Sequence, residues 1–264
     1  MSRIALYLIK GPYHYFNLFL SEIGNMTLFT QNTLLAIFSP PYKKTITRRQ
    51  MDEIGVGSLP VVTLTGLFMG LVLALQSIVE LRGIGATSYL GRPISTTVIR
   101  ELGPVLASIM VTARAGSAIA AELASMVVNE QIDAMRAEGS DPIKKLVEPR
   151  LLACTFMMPV LTMICDAIAF IGGWIVAVRI VQISSSFYWN SVMEVLTPSY
   201  VLGGLIKALL FGFLIGIIAC HSGMKTRYGA SGVGEATTRA VVISSITILM
   251  VDFVITKIYI MTWW

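Results

Sequence analysis

Apolar residues in this chain come in long blocks, with the polar residues gathered between them. Residues 54–79 contain no Asp, Glu, Lys or Arg and centre on LPVVTLTGLFMGLVLALQSIV. Similar blocks cover about 100–126, 151–178, 200–223 and 240–261. About 20 mostly apolar residues carry an α-helix across a hydrocarbon layer, so each block predicts one membrane-spanning helix. Five spans put the two ends of the chain on opposite sides of the membrane. Residues 1–50 have a different pattern. Phe16, Phe19, Leu20 and Ile23 stand at i, i+3, i+4 and i+7, with Asn17, Ser21 and Glu22 opposite. That period predicts an amphipathic helix lying in the membrane interface and closed by SPPYKK. A sixth, poorly hydrophobic span is the alternative. A signal peptide would have a purer apolar core and a small-residue cleavage site. The expected fold is therefore all-α and integral to the membrane: an interfacial segment over 1–50, then a transmembrane domain over 51–264.

Composition agrees with the pattern. Of 264 residues, 55% are hydrophobic and 13% charged, against about 25% charged in a soluble domain. The mean hydropathy is +0.75. A net charge of +5 could suggest a nucleic-acid partner, but the cations are scattered among loops, so none is expected. Their distribution does set an orientation. Arg3, Lys10, Lys43, Lys44, Arg48 and Arg49 precede the first span; Arg136, Lys144, Lys145 and Arg150 follow the second; Lys225, Arg227 and Arg239 follow the fourth. The other connections hold only Arg82, Arg92 and Arg179. The richer side is expected to be cytoplasmic, which places the N-terminus in the cytoplasm and the C-terminus across the membrane.

That orientation makes VNEQIDAMRAEGSDPIKKL (128–146) cytoplasmic, and seven of its nineteen residues are charged. NEQIDAM predicts about two helical turns, with Ile132 and Met135 on one side and Glu130, Asp133 and Arg136 around it. Gly139 stops this helix, and SDP starts another at Pro142. A short charged helix held between two spans suits docking on a soluble partner; an ordinary charged loop is the alternative.

Charges inside the spans are costly and normally face a partner or a wet cavity. Arg100 and Glu101 fall at the outer end of span two, Lys207 in the outer half of span four, and Asp252 in the middle or outer half of span five. Counting about 1.5 Å per residue brings Lys207 and Asp252 to similar depth. These four could line a polar cavity open to the outer side or simply pair. Arg114 and Asp166, both mid-span, are expected to form an internal ion pair. In span two Ser108, Thr112, Gly116, Ala120 and Ala124 follow at i+4, a ribbon that lets another helix approach closely. Gly66 with Gly70 and Gly212 with Gly216 repeat the spacing.

Catalytic and metal motifs are missing. Cys154, Cys165 and Cys220 lack CxxC spacing, and His14 and His221 lie far apart, so neither a metal site nor a disulfide framework is expected. GASGVGEATT (229–238) has no lysine to reach a phosphate. The chain has no means of hydrolysing a nucleotide, so energy must come from a partner or an ion gradient. An ion-coupled transporter using Asp252 and Glu101 remains the alternative to a partner-driven one, although no convincing inverted repeat supports it.

RELGPVLASIMVTARAGSAIAAELASMVVNEQIDAMRAEGSDPIKKLVEPRLLA resembles the central signature of the MlaE family, the permease subunits of ABC systems that move phospholipids between bacterial membranes. GSLPVVTLTGLFMGLVLALQ and GASGVGEATTRAVVISSITILMVDF resemble its flanking patterns, and the likeness covers about residues 50–260. It implies a non-catalytic permease homodimer in the bacterial inner membrane, with a lipid pocket at its centre. It also implies a cytoplasmic ABC ATPase, which would bind the ATP and Mg, and a periplasmic MCE-type lipid-binding partner. Glu130, Gln131, Ile132, Asp133 and Met135 would belong to the coupling helix that meets the ATPase. Arg100 and Glu101 would fall on the polar part of the lipid path, with Lys207 and Asp252 as further substrate-binding candidates; no cofactor is implied for this chain.

Overall fold

A computed structural model of the chain describes residues 2–38, 44–83, 85–226 and 229–263, with side chains described from residue 20 to residue 261. Within those residues the protein is helical, and five helical stretches are long and apolar enough to cross a membrane: Lys44–Gly83, Thr87–Val128, Ile143–Arg179, Pro198–Met224 and Gly229–Met261. The chain is a multi-pass, all-α membrane protein. Its helices are α1 (Ser2–Ile37), α2 (Lys44–Gly83), α3 (Gly91–Thr97), α4 (Gly103–Val111), α5 (Ser117–Val128), α6 (Gln131–Ala137), α7 (Glu148–Arg179), α8 (Ser185–Val195), α9 (Pro198–Met224) and α10 (Gly229–Trp263).

Span two is longer than its apolar block. It begins with a 3₁₀ turn at Thr87–Tyr89, and α3, α4 and α5 follow one another with a π-helical turn at each junction, Val98–Leu102 and Thr112–Gly116. Arg100 and Glu101 therefore lie inside a helix rather than at its outer end. The sequence pattern missed this because TSYLGRPISTT is too polar to extend the apolar block.

The segment between spans three and four also holds an unforeseen helix, α8, which packs against α3. The Gly91 amide donates to Ser191 Oγ at 3.1 Å, and Arg92 forms an ion pair with Glu194. Tyr188, fully buried, donates its hydroxyl to the Phe170 carbonyl at 2.9 Å. Helix α8 marks one end of the bundle, the α8 end, and α6 marks the opposite one.

Close helix contacts fall where small residues face backbone. A methyl group placed on Gly66 of α2 would lie 2.5 Å from the Cys165 carbonyl oxygen of α7, and one on Gly172 of α7 would lie 2.5 Å from the Leu67 carbonyl oxygen. On α9, Gly212 meets the Cys154 carbonyl at the same distance. Ser108, Thr112, Ala120 and Ala124 of the span-two ribbon are fully buried. By contrast, α10 exposes Ile246, Leu249, Met250, Phe253 and Val254, and α2 exposes Val56, Leu64, Phe68 and Val72. Cys154, Cys165 and Cys220 are free and buried, acting as small apolar residues.

The helix expected near the N-terminus is present as α1. Leu20 and Ile23 of its apolar spacing are exposed, while the side chains of Phe16 and Phe19, and most of SPPYKK, lie outside the described residues. Along its second half α1 meets the α6 end of α9: Glu22 forms an ion pair with Lys225, and Phe29 packs edge-on against His221 with ring centroids 5.4 Å apart.

Candidate functional site

The π-helical turn Val98–Leu102 brings charges from three helices together. A π turn inserts a residue into the helical ladder and often marks a functional site. Lys207 of α9 reaches it, and its ammonium donates to Glu101 Oε2 at 2.7 Å, Asp252 Oδ1 at 2.9 Å, Thr256 Oγ1 at 2.8 Å and the Arg100 carbonyl at 2.9 Å. Thr256 also donates to Glu101 Oε2 at 3.0 Å. The approach is tight because α9 carries Gly204 there: a methyl group on it would stand 2.5 Å from the Ile99 carbonyl.

Of the four residues proposed from sequence to meet a substrate, Lys207 is only 5% exposed. An ammonium has three donors, and four acceptors already surround this one. It stands at the centre of a polar network and, with Glu101, at the wall of a recess beside Arg100. Asp252 and Glu101 serve the same network, and Thr256 completes it. Thr256 follows Asp252 by one helical turn, a spacing that could have revealed it. Arg100 is different. Its guanidinium lies over the rings of Tyr200 at 5.2 Å and Tyr259 at 5.4 Å, a favourable cation–π arrangement, and it forms no ion pair among the described residues. Arg100, Glu101 and Lys207, with Tyr200, Gly203, Gly204, Ile255 and Tyr259, line this small recess of about 30 Å³ where α9 and α10 meet the turn.

On the other side of the same turn lies an open apolar groove of about 540 Å³ between α2 and span two. Leu64, Phe68, Met69, Val72 and Leu73 of α2 face Leu102 and Leu106 there, with Thr65 and Gln76 as its only polar residues. The π turn is thus flanked by a small recess that holds Arg100 and by an apolar groove.

The expected Arg114–Asp166 pair does not form. Arg114 donates from Nη1 to the Glu53 carbonyl at 3.0 Å and to Ser58 Oγ at 3.2 Å, both on α2. Asp166 lies against Gly103, where its Oδ1 is buried without a hydrogen-bond partner. Gly103 and Arg114 are eleven residues apart on one helix, about 16 Å in depth, beyond the reach of a guanidinium. Arg150, buried at the α6 end, pairs instead with Glu122 at 2.6 Å, a pair the sequence did not suggest.

The short charged helix is present as α6. Glu130 enters it with φ 56°, and Gly139 closes it with φ 73°. Asp133 pairs with Arg136 at 2.8 Å. Glu130, Gln131 and Asp133 are exposed and Met135 is half-buried, but Ile132 is 3% exposed. Ile132 therefore anchors α6 to the bundle and offers no docking surface. Asp141 Oδ1 accepts from the Ile143 amide at 2.9 Å, capping the helix that restarts at Pro142.

Residues 47–258 match the family model for the permease MlaE. The chain is 44% identical over 241 residues to a "Probable ABC transporter permease protein" of Rickettsia conorii, covering 91% of this chain and 93% of that one. It is 36% identical over 211 residues to the intermembrane phospholipid transport system permease protein MlaE of Haemophilus influenzae, covering 80% and 81%. Over 213 residues it is 37% identical to the chloroplastic protein TRIGALACTOSYLDIACYLGLYCEROL 1 of Arabidopsis thaliana, covering 81% and 61%. With five spans, the match across most of its length makes this chain a member of the MlaE family of ABC transporter permeases.

Proposed function

We propose that the chain is the permease of a phospholipid transporter, working as a homodimer in a bacterial inner membrane. The α6 end faces the cytoplasm and meets a separate ATPase, which binds the ATP and Mg. The α8 end faces the periplasm, where an MCE-type protein exchanges lipid with the permease. The name of the Haemophilus relative supports the substrate class, and family membership sets aside the ion-coupled alternative. One observation carries the reading: an arginine without an ion pair among the described residues and an apolar groove flank the same π turn. A phosphodiester favours a fixed guanidinium, and acyl chains favour a groove from which they displace water. Lys207, Glu101, Asp252 and Thr256 hold the turn in the shape that presents Arg100.

The dimeric complex with its ATPase, in lipid nanodiscs, tests this. Arg100→Ala should lower retained phospholipid in native mass spectra, and ATP-driven transfer of labelled phospholipid, about tenfold, the equivalent of about 1.4 kcal/mol. ATPase association should not change. Wild-type retention and transfer in that variant would sink the assignment of Arg100.

A further inference from the structure

We infer a second headgroup station at Arg114, at the α6 end of the same seam, where a phosphate-bearing lipid binds with its chains pointing towards the α8 end. The inference rests on the phospholipid reading above and adds a second pose for the substrate. Arg114 belongs to the second π turn of span two, Thr112–Gly116, as Arg100 belongs to the first. The two arginines stand fourteen residues apart, about 21 Å along the helix. Arg114 is exposed on this chain, and both its hydrogen bonds go to uncharged oxygens of α2 through one nitrogen, Nη1. No carboxylate neutralises it among the described residues.

Its position on α2 fixes its depth. Glu53 immediately precedes the uncharged run 54–79, and Ser58 lies just within it. Arg114 thus sits at the edge of the hydrocarbon layer on the α6 side, where lipid phosphates lie. The apolar groove begins further along the same seam, with Leu106 and Leu64, and ends near Leu102 and Gln76. From Arg114 to Leu102 is twelve residues, or about 18 Å, and exposed Val61 and Leu64 continue the apolar surface between. An unneutralised cation at one end of an apolar channel complements a phosphate with acyl chains attached. A lipid arriving from the cytoplasmic leaflet already has this orientation, so it can occupy the groove without turning over. The headgroup need cross the bilayer only when it moves from Arg114 to Arg100.

Photocrosslinking in the dimeric complex tests the two stations separately. Phosphatidylglycerol carrying a diazirine in the headgroup or at the chain end is used as the probe, and adducts are mapped by mass spectrometry. In the wild type, headgroup adducts should appear near Gly57 and Ala113 and also near Arg100, with chain-end adducts near Leu102. Arg114→Gln should reduce the adducts near Gly57 and Ala113 at least fivefold and leave those near Arg100, and Arg114→Lys should restore them. Leu106→Trp, which fills the groove and leaves Arg114 in place, should remove the chain-end adducts. Unchanged adducts in Arg114→Gln, or chain-end adducts that survive Leu106→Trp, would overturn the second station. So would efficient disulfide formation between copies bearing Ala113→Cys, because the second copy would then cover Arg114. Loss of headgroup adducts at both stations in the wild type would instead reject the phospholipid reading itself.

Discussion

At the scale of single residues, Lys207 organises the charged cluster. Removing it leaves Glu101 and Asp252 without their shared cation, and breaking a buried ion pair from one side typically costs about 3–5 kcal/mol. Lys207→Ala should therefore lower the Tm in detergent by about 6–12 °C at the lower end of that range. Loss of bound lipid in this variant would follow from a collapsed turn, whereas Arg100→Ala should lose lipid at nearly unchanged Tm. A Tm within about 2 °C of wild type would show that the network contributes little to folding. Part of this cluster was legible: counting residues put Lys207 and Asp252 at one depth, and they meet at 2.9 Å. Counting failed for Arg114 and Asp166, expected as a mid-span pair: Asp166 lies against Gly103, eleven residues from Arg114 along span two, so the two sit at different depths.

At the scale of helices, the contacts separate two kinds of glycine. A methyl group on Gly70 would run into the Ala169 carbonyl of α7, which is backbone and cannot turn aside. On Gly116 the nearest atoms are side-chain carbons of Ile215 and Thr112, at 3.5 and 3.6 Å, ordinary contact distances. Gly70→Ala should lower the Tm clearly, while Gly116→Ala should leave it unchanged or raise it slightly, since alanine favours helix. Equal Tm values for the two variants would contradict this account of the seams. The i+4 ribbon in span two announced a buried face, and that face is buried, but spacing alone could not tell backbone contact from side-chain contact. Nor could it foresee α8, whose eleven residues are too few and too aromatic to resemble a span, or the π turns, which leave no mark in hydropathy.

At the scale of the whole molecule, α1 is fastened to the bundle where Glu22 meets Lys225. Burial works to raise the Glu22 carboxyl, but Lys225, His221 and Arg239 together hold it below its usual value of 4.5. A lowered folded-state pKa means the contact stabilises the fold above that value and weakens as pH falls through the lower one. Hydrogen exchange over residues 20–37 should therefore be slow at pH 7 and faster once the pH falls below the usual carboxylate range, after correction for intrinsic rates. Glu22→Gln should remove the acid dependence; an unchanged acid response in that variant would place the sensitive group elsewhere. The five-span architecture was readable because apolar blocks must match membrane thickness. The attachment of α1 was not, because Glu22 and Lys225 stand 203 residues apart.

The two π turns also bear on how this chain tolerates changes of length. Each holds one residue more than an α-helical turn would need, so a single deletion within 98–102 or 112–116 could be absorbed by tightening the coil, with no break in the helix. The helices on either side would then keep nearly their present relative orientation, whereas a deletion in a regular α-helical stretch would turn one against the other by about 100°. Within 98–102 the local change would still displace Arg100 from Tyr200 and Tyr259. Span two is thus more forgiving of lost residues as a membrane anchor than as a carrier of its arginines.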